Sequence, residues 1–512
     1  MQSLPFESLS REQKYAFQEF VKGQNLFITG AGGTGKTQLI HSFVEYCLSK
    51  KKEVAVCALT GCAAVLLNMK AKTIHSWSGI KLAKGSREKI IHSTLKKKVA
   101  VDNWKKVQVL IIDEVSMMSV KILELLEEIA RHVRRCSFVF GGIQIIFTGD
   151  FYQLPPIGDS NDPPTCQFCF QSKKWREIFP KKQNLVLLKS IFRQKDPIYQ
   201  TILNEIRVGT LTEENIRILE SRVGIQVGSQ ICTRLFAIKQ KVECINRHNF
   251  DQLSDKEYHQ HSIIKTNCKF YLDSGLPIVN DVMDQCLSMT AEDIDFEIKK
   301  MFSGLNVEEH FSMKKGAVVM LTFNLCVEDG LCNGSQGIIV DILEEISITD
   351  NTWLFTDKNS VPKISVPVVQ FTNGIVRRIH PQFWQNDDYP RICVGQFPLI
   401  LAWALTIHKI QGASLDRAEI DAGSSIFEYG QTYVGLSRVR SLEGLYLTNF
   451  HPQRIKAHPL VKEFYKNVRN DIPDFELLPN FEKEQDPIAT ANVVREIDFN
   501  IPMAHAVIVK KI

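Results

Sequence analysis

Over the first third of the chain, short unbroken apolar runs alternate with segments of helical periodicity. Residues 25–30 (NLFITG) read as a strand ending on glycine, 37–50 (TQLIHSFVEYCLSK) as the following helix, 53–60 (EVAVCALT) as a second strand and 107–114 (VQVLIIDE) as a third. In 121–135 (KILELLEEIARHVRR) Ile122, Leu125, Leu126 and Ile129 fall on one face, the pattern of an amphipathic helix, and 143–150 (IQIIFTGD) is a fourth strand. Strands apolar on both faces, alternating with helices, predict a parallel sheet covered on both sides. Residues 73–101 are polar and lysine-rich, which predicts a small insertion on that sheet domain, and a proline-containing loop breaks the pattern at 161–165. Residues 190–260 read as mostly helical. Between 315 and 400 the runs GAVVMLTF, GIIVDI, WLFTD, ISVPVVQF and RRIHPQFW, separated by Gly, Asn and Asp, predict a small antiparallel barrel. The strand–helix style returns over 398–450, and from about 471 the pattern fades except in AHAVIVKKI.

Composition narrows the class. At ~100–200 residues per domain, 512 residues predict three to four domains, and 44% apolar residues supply ordinary cores. No apolar run approaches the ~18 residues of a membrane span. The opening MQSLPFESLSREQ has neither the basic-then-apolar order of a secretory leader nor the composition of a transit peptide. The 13 cysteines are irregularly spaced, and Cys166 and Cys169 lack a second pair to complete a zinc site. The expectation is a soluble intracellular protein with reduced thiols, in nucleus or cytoplasm. A net charge of +5, from 62 basic and 57 acidic residues, permits a nucleic-acid groove without demanding one. On charge alone, the clusters Lys96-Lys97-Lys98 and Arg131, Arg134, Arg135 read as solvated faces.

Gly30-Ala31-Gly32-Gly33-Thr34-Gly35-Lys36-Thr37 fits G-x-x-x-x-G-K-[ST], follows a predicted strand and opens a predicted helix. Its glycines let backbone N–H groups curl around phosphates at a helix N-terminus. Lys36 is expected on the β- and γ-phosphates of ATP and Thr37 on Mg²⁺. Asp113 and Glu114 end a buried strand. Such a pair is common on plain surfaces, but downstream of a phosphate loop Asp113 becomes a candidate Mg²⁺ ligand and Glu114 the group that polarises the attacking water. Gln153, in Thr148-Gly149-Asp150-Phe151-Tyr152-Gln153-Leu154-Pro155-Pro156, is expected to sense the γ-phosphate. Phosphoryl transfer also needs positive charge on the equatorial oxygens, and Arg193 and Arg438 are the candidates. Both are distant in sequence, so a second domain has to close over the nucleotide.

These motifs, in order, resemble the PIF-type (petite integration frequency) DNA helicases of the RecD-like branch of helicase superfamily one. The resemblance rests on Leu9-Ser10-Arg11-Glu12-Gln13, the phosphate loop, Leu59-Thr60-Gly61, Thr73-Ile74-His75-Ser76-Trp77, Asp113-Glu114, Phe192-Arg193-Gln194, Asn333-Gly334-Ser335-Gln336-Gly337, the stretch from Ala404 to Gly412 and that from Gly430 to Arg440. The most diagnostic stretch runs from Leu126 to Arg135, followed by Phe140-Gly141-Gly142. The resemblance as a whole covers about residues 5–465, with Val139 where proline is usual and Gly435 where alanine is usual.

The resemblance implies an α/β fold of two RecA-like P-loop NTPase domains with parallel sheets. The first would span 1–188, with a wedge insertion at about 73–103. The second would span 189–326 and 397–465, with an SH3-like β-barrel inserted at 327–396, and 466–512 would form a tail. It further implies that Gln13 reads adenine, that Arg193 and Arg438 are arginine fingers, and that Thr60, His75 and Ser76 on one domain and His408 and Lys409 on the other alternately grip the strand in an inchworm cycle. The implied function is ATP-dependent five-prime to three-prime translocation on single-stranded DNA. Forks, RNA–DNA hybrids and G-quadruplexes are the implied substrates, single-strand binding proteins the possible partners, and the motor works as a monomer. Alternatives are a translocase that strips proteins without unwinding, a non-catalytic single-strand or G-quadruplex binding protein, and an RNA helicase.

Overall fold

The structure is a computed structural model describing residues 8–226, 232–265, 290–304, 308–326, 329–346, 363–386, 389 and 392–468, except 68, 70, 82 and 84. The run WLFTD, the end AHAVIVKKI and the tail beyond 468 lie outside the described residues.

The expected first sheet is present. Strands β1 (Leu26–Gly30), β2 (Val54–Ala58), β3 (Lys72–Thr73), β4 (Val109–Asp113), β5 (Gln144–Gly149) and β6 (Leu185–Leu188) are parallel, in the order β3-β2-β4-β5-β1-β6. All five residues of β1 and of β4 are buried, as the unbroken apolar runs require. In register, Ile112 pairs Phe147 and Thr29 pairs Gly149. The carboxyl ends of β4, β5 and β1 therefore lie side by side, at the edge where open α/β sheets bind ligands. The segment after β1 turns into helix Lys36–Ser49 through Gly35, whose φ of +80° suits glycine.

Helix Val120–Arg134 starts on a Ser119 side-chain cap and ends where Arg135 turns left-handed. Its polar face holds the insertion, which is helical: Ile74–Ser78, Arg87–Leu95 and Lys98–Lys106. Arg134 donates to the carbonyls of Trp104, Lys105 and Val107 and to that of Gly141, while Arg87 pairs with Glu124 and Glu128. Lys97 of the other basic cluster likewise donates to a backbone carbonyl, Gly79 O, at 2.8 Å. Trp77 and Trp104 are buried in edge-to-face contact, with ring centroids 4.7 Å apart. The insertion is part of the first core, not a polar appendage.

The second parallel sheet runs Ala404–Thr406, Thr233–Phe236, Ala418–Ala422, Leu445–Phe450. Its strand Thr233–Phe236 lies within the stretch expected to be mostly helical; four residues alternating with an exposed Arg234 give too short a signal to stand out. The antiparallel insertion is a five-stranded sheet that reaches beyond 327–396, because Val318–Leu321 and Leu399–Leu401 pair with each other in it. The run RRIHPQFW divides between strands Val376–Arg378 and Gln382–Gln385, with Pro381, which has no N–H to donate, between them.

One expected boundary is corrected. Helix Pro459–Lys466, assigned with 397–465 to the second domain, packs on the first. Val461 is buried in the first core, and the Phe464 ring stacks on Phe170 at 4.5 Å and meets Phe27, Phe151 and Trp175 edge-on. An aromatic cluster joins residues far apart in sequence only through folding, so periodicity did not reveal it. Phe464→Ala is expected to lower unfolding stability by about 2–3 kcal/mol, below the ~3–5 of a fully buried phenylalanine, as read by urea denaturation. A loss under about 0.5 kcal/mol, the size of a surface change, would show that this helix does not anchor on the first domain.

Candidate functional site

The three adjacent strand ends and the second domain enclose a cleft of about 1330 Å³. Its lining includes Gly32, Gly33, Thr34, Gly35, Lys36 and Thr37 from the phosphate loop, Asp113 and Glu114 after β4, and Gln153 after β5. Phe192, Arg193 and Arg438 line it from the other side, and Asn333 to Gln336 of the β insertion close one end. Gly30 and Ala31 sit below the cleft, where their carbonyls accept from Lys36 Nζ at 2.7 and 3.1 Å.

The charges here are buried and unlike charges in water. Burial lowers the proton affinity of Lys36, against the pull of Asp150, Glu114 and Asp113. Burial also lowers that of Arg438, and brings Arg193 down to about 9 with help from the like charge of Arg438. The acids move the other way. Burial raises Asp113 even though Thr148 Oγ1 and Glu114 N donate to it. Burial and the neighbouring Asp113 push Glu114 up to about 7. Glu114 is also held at φ +56°, ψ +41°, a left-handed conformation that costs a non-glycine residue of order 1–3 kcal/mol and aims its carboxylate into the cleft.

Shifts of this kind mark a site waiting for opposite charge. A polyphosphate offsets the three cations, and a divalent cation offsets the two acids, so the residues present fit both groups. Among the described residues no group of three or more His, Cys, Asp or Glu side chains could hold a metal. Mg²⁺ needs no such cage, since it keeps water and phosphate ligands beside one or two protein oxygens.

The two domains touch through polar contacts around the loop. Tyr433 hydroxyl accepts from Gly32 N at 2.8 Å. A Cβ at Gly33, where φ is +88°, would lie 2.5 Å from Arg193 Cβ, so only glycine allows that approach. Arg193 and Gln194 donate to Ser437 O at 3.3 and 3.2 Å, binding the two arginine-bearing segments together. Arg438 is held by Val434 O and Ser437 Oγ, each at 2.9 Å. Gln411 Nε2 donates to Glu114 at 3.3 Å. Gln153 presents a buried Oε1 with no hydrogen-bond partner.

Gln13 has another task. Its Oε1 accepts from Ser10 N at 2.9 Å in a capping box, and its Nε2 sits 3.4 Å from Thr34 O and Gly35 O. It braces the phosphate loop from outside the cleft lining. The five strand-gripping candidates also lie outside that lining. Thr60 caps helix Gly61–Leu67 through Ala63 N, and His75 and Ser76 lie on helix Ile74–Ser78. His408 and Lys409 occupy the turn after Ala404–Thr406, three residues before Gln411 in the case of His408. Burial lowers the proton affinity of both histidines, so each is neutral near pH 7. Gln411 and Tyr433 were given no role from sequence, although both lie inside quoted motifs; a motif shows where a residue is, not which atom it reaches.

Residues 8–217 match the family of PIF1-like helicases, and 304–342 match the 2B domain of DNA helicase Pif1. An ATP-dependent DNA helicase PIF1 of Xenopus laevis is 35% identical over 468 residues, covering 90% of this chain and 65% of that protein. The crystal structure of Pif1 helicase from Candida albicans superposes with a TM-score of 0.71 at 32% identity, covering 90% of this chain and 99% of that one. The structure of Bacteroides Pif1 bound to single-stranded DNA gives a TM-score of 0.58 at 26% identity, covering 90% and 96%. The chain thus spans just under two thirds of the frog relative and nearly all of the Candida structure, and with that ordered match of cleft, motifs and architecture it belongs to the PIF1-like helicase family.

Proposed function

We propose that the chain is an ATP-driven motor that translocates five-prime to three-prime on single-stranded DNA and separates duplexes, forks and G-quadruplexes included. The observation that carries this reading is the convergence of Lys36, Glu114, Arg193 and Arg438, from two domains, on one cleft. Water attacks the γ-phosphorus, the bond to the β–γ bridging oxygen breaks, and ADP and phosphate leave. Lys36 binds the β- and γ-phosphates, Glu114 orients the water and takes its proton, and Gln153 presents its unpaired oxygen to the water or its amide to the γ-phosphate. Arg193 and Arg438 stabilise the charge on the transferred group. Thr37 and Asp113 would hold Mg²⁺, which would supply positive charge to offset that of the phosphates. Adenine recognition by Gln13 requires its amide nitrogen to leave the two long contacts to Thr34 and Gly35.

Because Tyr433 and Arg193 reach the loop, and Gln411 reaches Glu114, from the second-domain side, nucleotide occupancy and domain closure are one event. The grip of Thr60, His75 and Ser76 then alternates with that of His408 and Lys409. Contacts to the phosphate backbone make binding salt-sensitive and weakly sequence-dependent.

Unwinding is favoured over translocation alone by the way the insertion is staked through Arg87 and Arg134, with Leu95 and Val99 38% and 44% exposed at its turn. Deleting the insertion would strip Trp77 and Trp104 from the core, so surface substitutions make the better test.

Glu114→Gln is expected to lower DNA-stimulated ATP turnover by about 10²–10⁴-fold, the range of a lost general base, with nucleotide binding kept. Full turnover in that variant would refute the motor. Lys36→Ala is expected to abolish turnover, and excess EDTA to abolish it reversibly on adding Mg²⁺. Leu95→Ser with Val99→Ser is expected to spare DNA-stimulated hydrolysis while reducing unwinding of a forked duplex several-fold; equal unwinding would favour the protein-stripping translocase.

A further inference from the structure

Asp150, at the end of β5, is fully buried and is the acceptor of an unusual number of donors. Arg207 donates twice, Nε to Oδ2 and Nη2 to Oδ1, each at 2.8 Å. The Tyr465 hydroxyl and Tyr152 N lie 3.2 Å from Oδ1. The same Tyr465 hydroxyl is 2.5 Å from Thr29 Oγ1 and accepts from Phe151 N at 3.1 Å. Thr29 immediately precedes the phosphate loop, and Phe151 lies two residues before Gln153. One hydroxyl therefore ties together the two strand ends that carry the loop and the γ-phosphate sensor.

The arginine and the tyrosine come from opposite sides of the domain boundary. Arg207 lies on helix Pro197–Val208, whose Tyr199, Ile202, Leu203 and Ile206 are in the second core, and Tyr465 on helix Pro459–Lys466, which packs on the first. The segment after the one helix touches the segment before the other: at Gly209, with φ +69°, a Cβ would lie 2.8 Å from Ala457 N. The rings of Tyr152 and Tyr465 stack at 4.7 Å and 12°, with the Arg207 guanidinium 4.6 and 5.3 Å from their centroids. Arg207 also matters electrically. Asp150 is the strongest favourable charge on Lys36, and Arg207 opposes it. Without the arginine, an uncompensated buried carboxylate would compete with phosphate for the Lys36 amine.

We propose that Arg207 and Tyr465 are positioning residues for ATP hydrolysis, which clamp Asp150 and Thr29 from the two sides of the domain boundary and so set the phosphate loop against Gln153. The proposal rests on the ATPase reading above. A shift of about 1 Å in a site far from the reacting atoms can cost up to ~10²-fold in rate, so loss of the single bridging hydroxyl is expected to act on turnover and not on affinity.

The test is Tyr465→Phe, beside wild type, read by melting temperature, ADP affinity and DNA-stimulated kcat. The expected result is a kcat about tenfold lower, with ADP affinity within about twofold of wild type. A kcat within about twofold of wild type overturns the proposal, and so does an equal loss of affinity and rate. If Tyr465→Phe melts too low to assay, the Arg207–Asp150 pair decides. Arg207→Met is expected to weaken ADP binding, and adding Asp150→Asn to restore it, a coupling seen only between interacting sites. A double variant no better than the single one overturns the clamp. If wild type itself hydrolyses no ATP with DNA, the motor reading fails and takes the clamp with it, a result separate from wild-type hydrolysis matched by Tyr465→Phe.

Discussion

Lys36, Arg193 and Arg438 carry three positive charges into a cleft around two buried acids, and burial shifts the proton affinity of all five away from the values they have in water. Desolvating a charge is among the largest penalties a fold can sustain, and it is tolerable only when opposite charge and hydrogen bonds surround the group. The rest of the molecule follows from that. β4, β5 and β1 must be neighbours so that Asp113, Asp150 and the phosphate loop emerge at one edge. The second domain must approach closely enough for its arginines to share the acids of the first. The glycine at 33 is what makes the approach sterically possible.

Around the cleft the domains are joined by a few directional hydrogen bonds, Tyr433 to Gly32 and Gln411 to Glu114, and by the ion pair of Arg207 with Asp150. Each domain has a hydrophobic core, but Leu154 of the first lies in the core of the second and Met117 packs against both. Away from the cleft the domains also meet where Gly209 approaches Ala457, beside the hydrogen-bonded group of Asp150, Arg207 and Tyr465.

The insertion and the last helix show how local pattern misleads about packing. Residues 73–103 look polar because of their lysines and the exposed run 85–89, yet Trp77 and the adjoining Trp104 bury this segment against the first domain. Helix Pro459–Lys466 follows the second domain's strands in sequence and belongs to the first domain's aromatic cluster in space. In both cases the deciding contacts join residues distant in sequence, which no period of two or 3.6 encodes.

The amino-acid sequence by itself determined the parallel sheet, the position of the phosphate loop at the end of β1, the acidic pair at the end of β4 and the family. Each of these is written locally: apolar strands must be covered on both faces, phosphate-binding glycines must sit in a fixed spacing, and motif order survives along one chain. It did not determine which atoms meet. That Gln13 braces the loop from its own helix cap, that Tyr433 reaches Gly32, and that Arg207 and Tyr465 share Asp150 were decided by tertiary structure alone. Hydrogen bonds between side chains depend on distances of a few tenths of an ångström, and only the packing of complete domains fixes those.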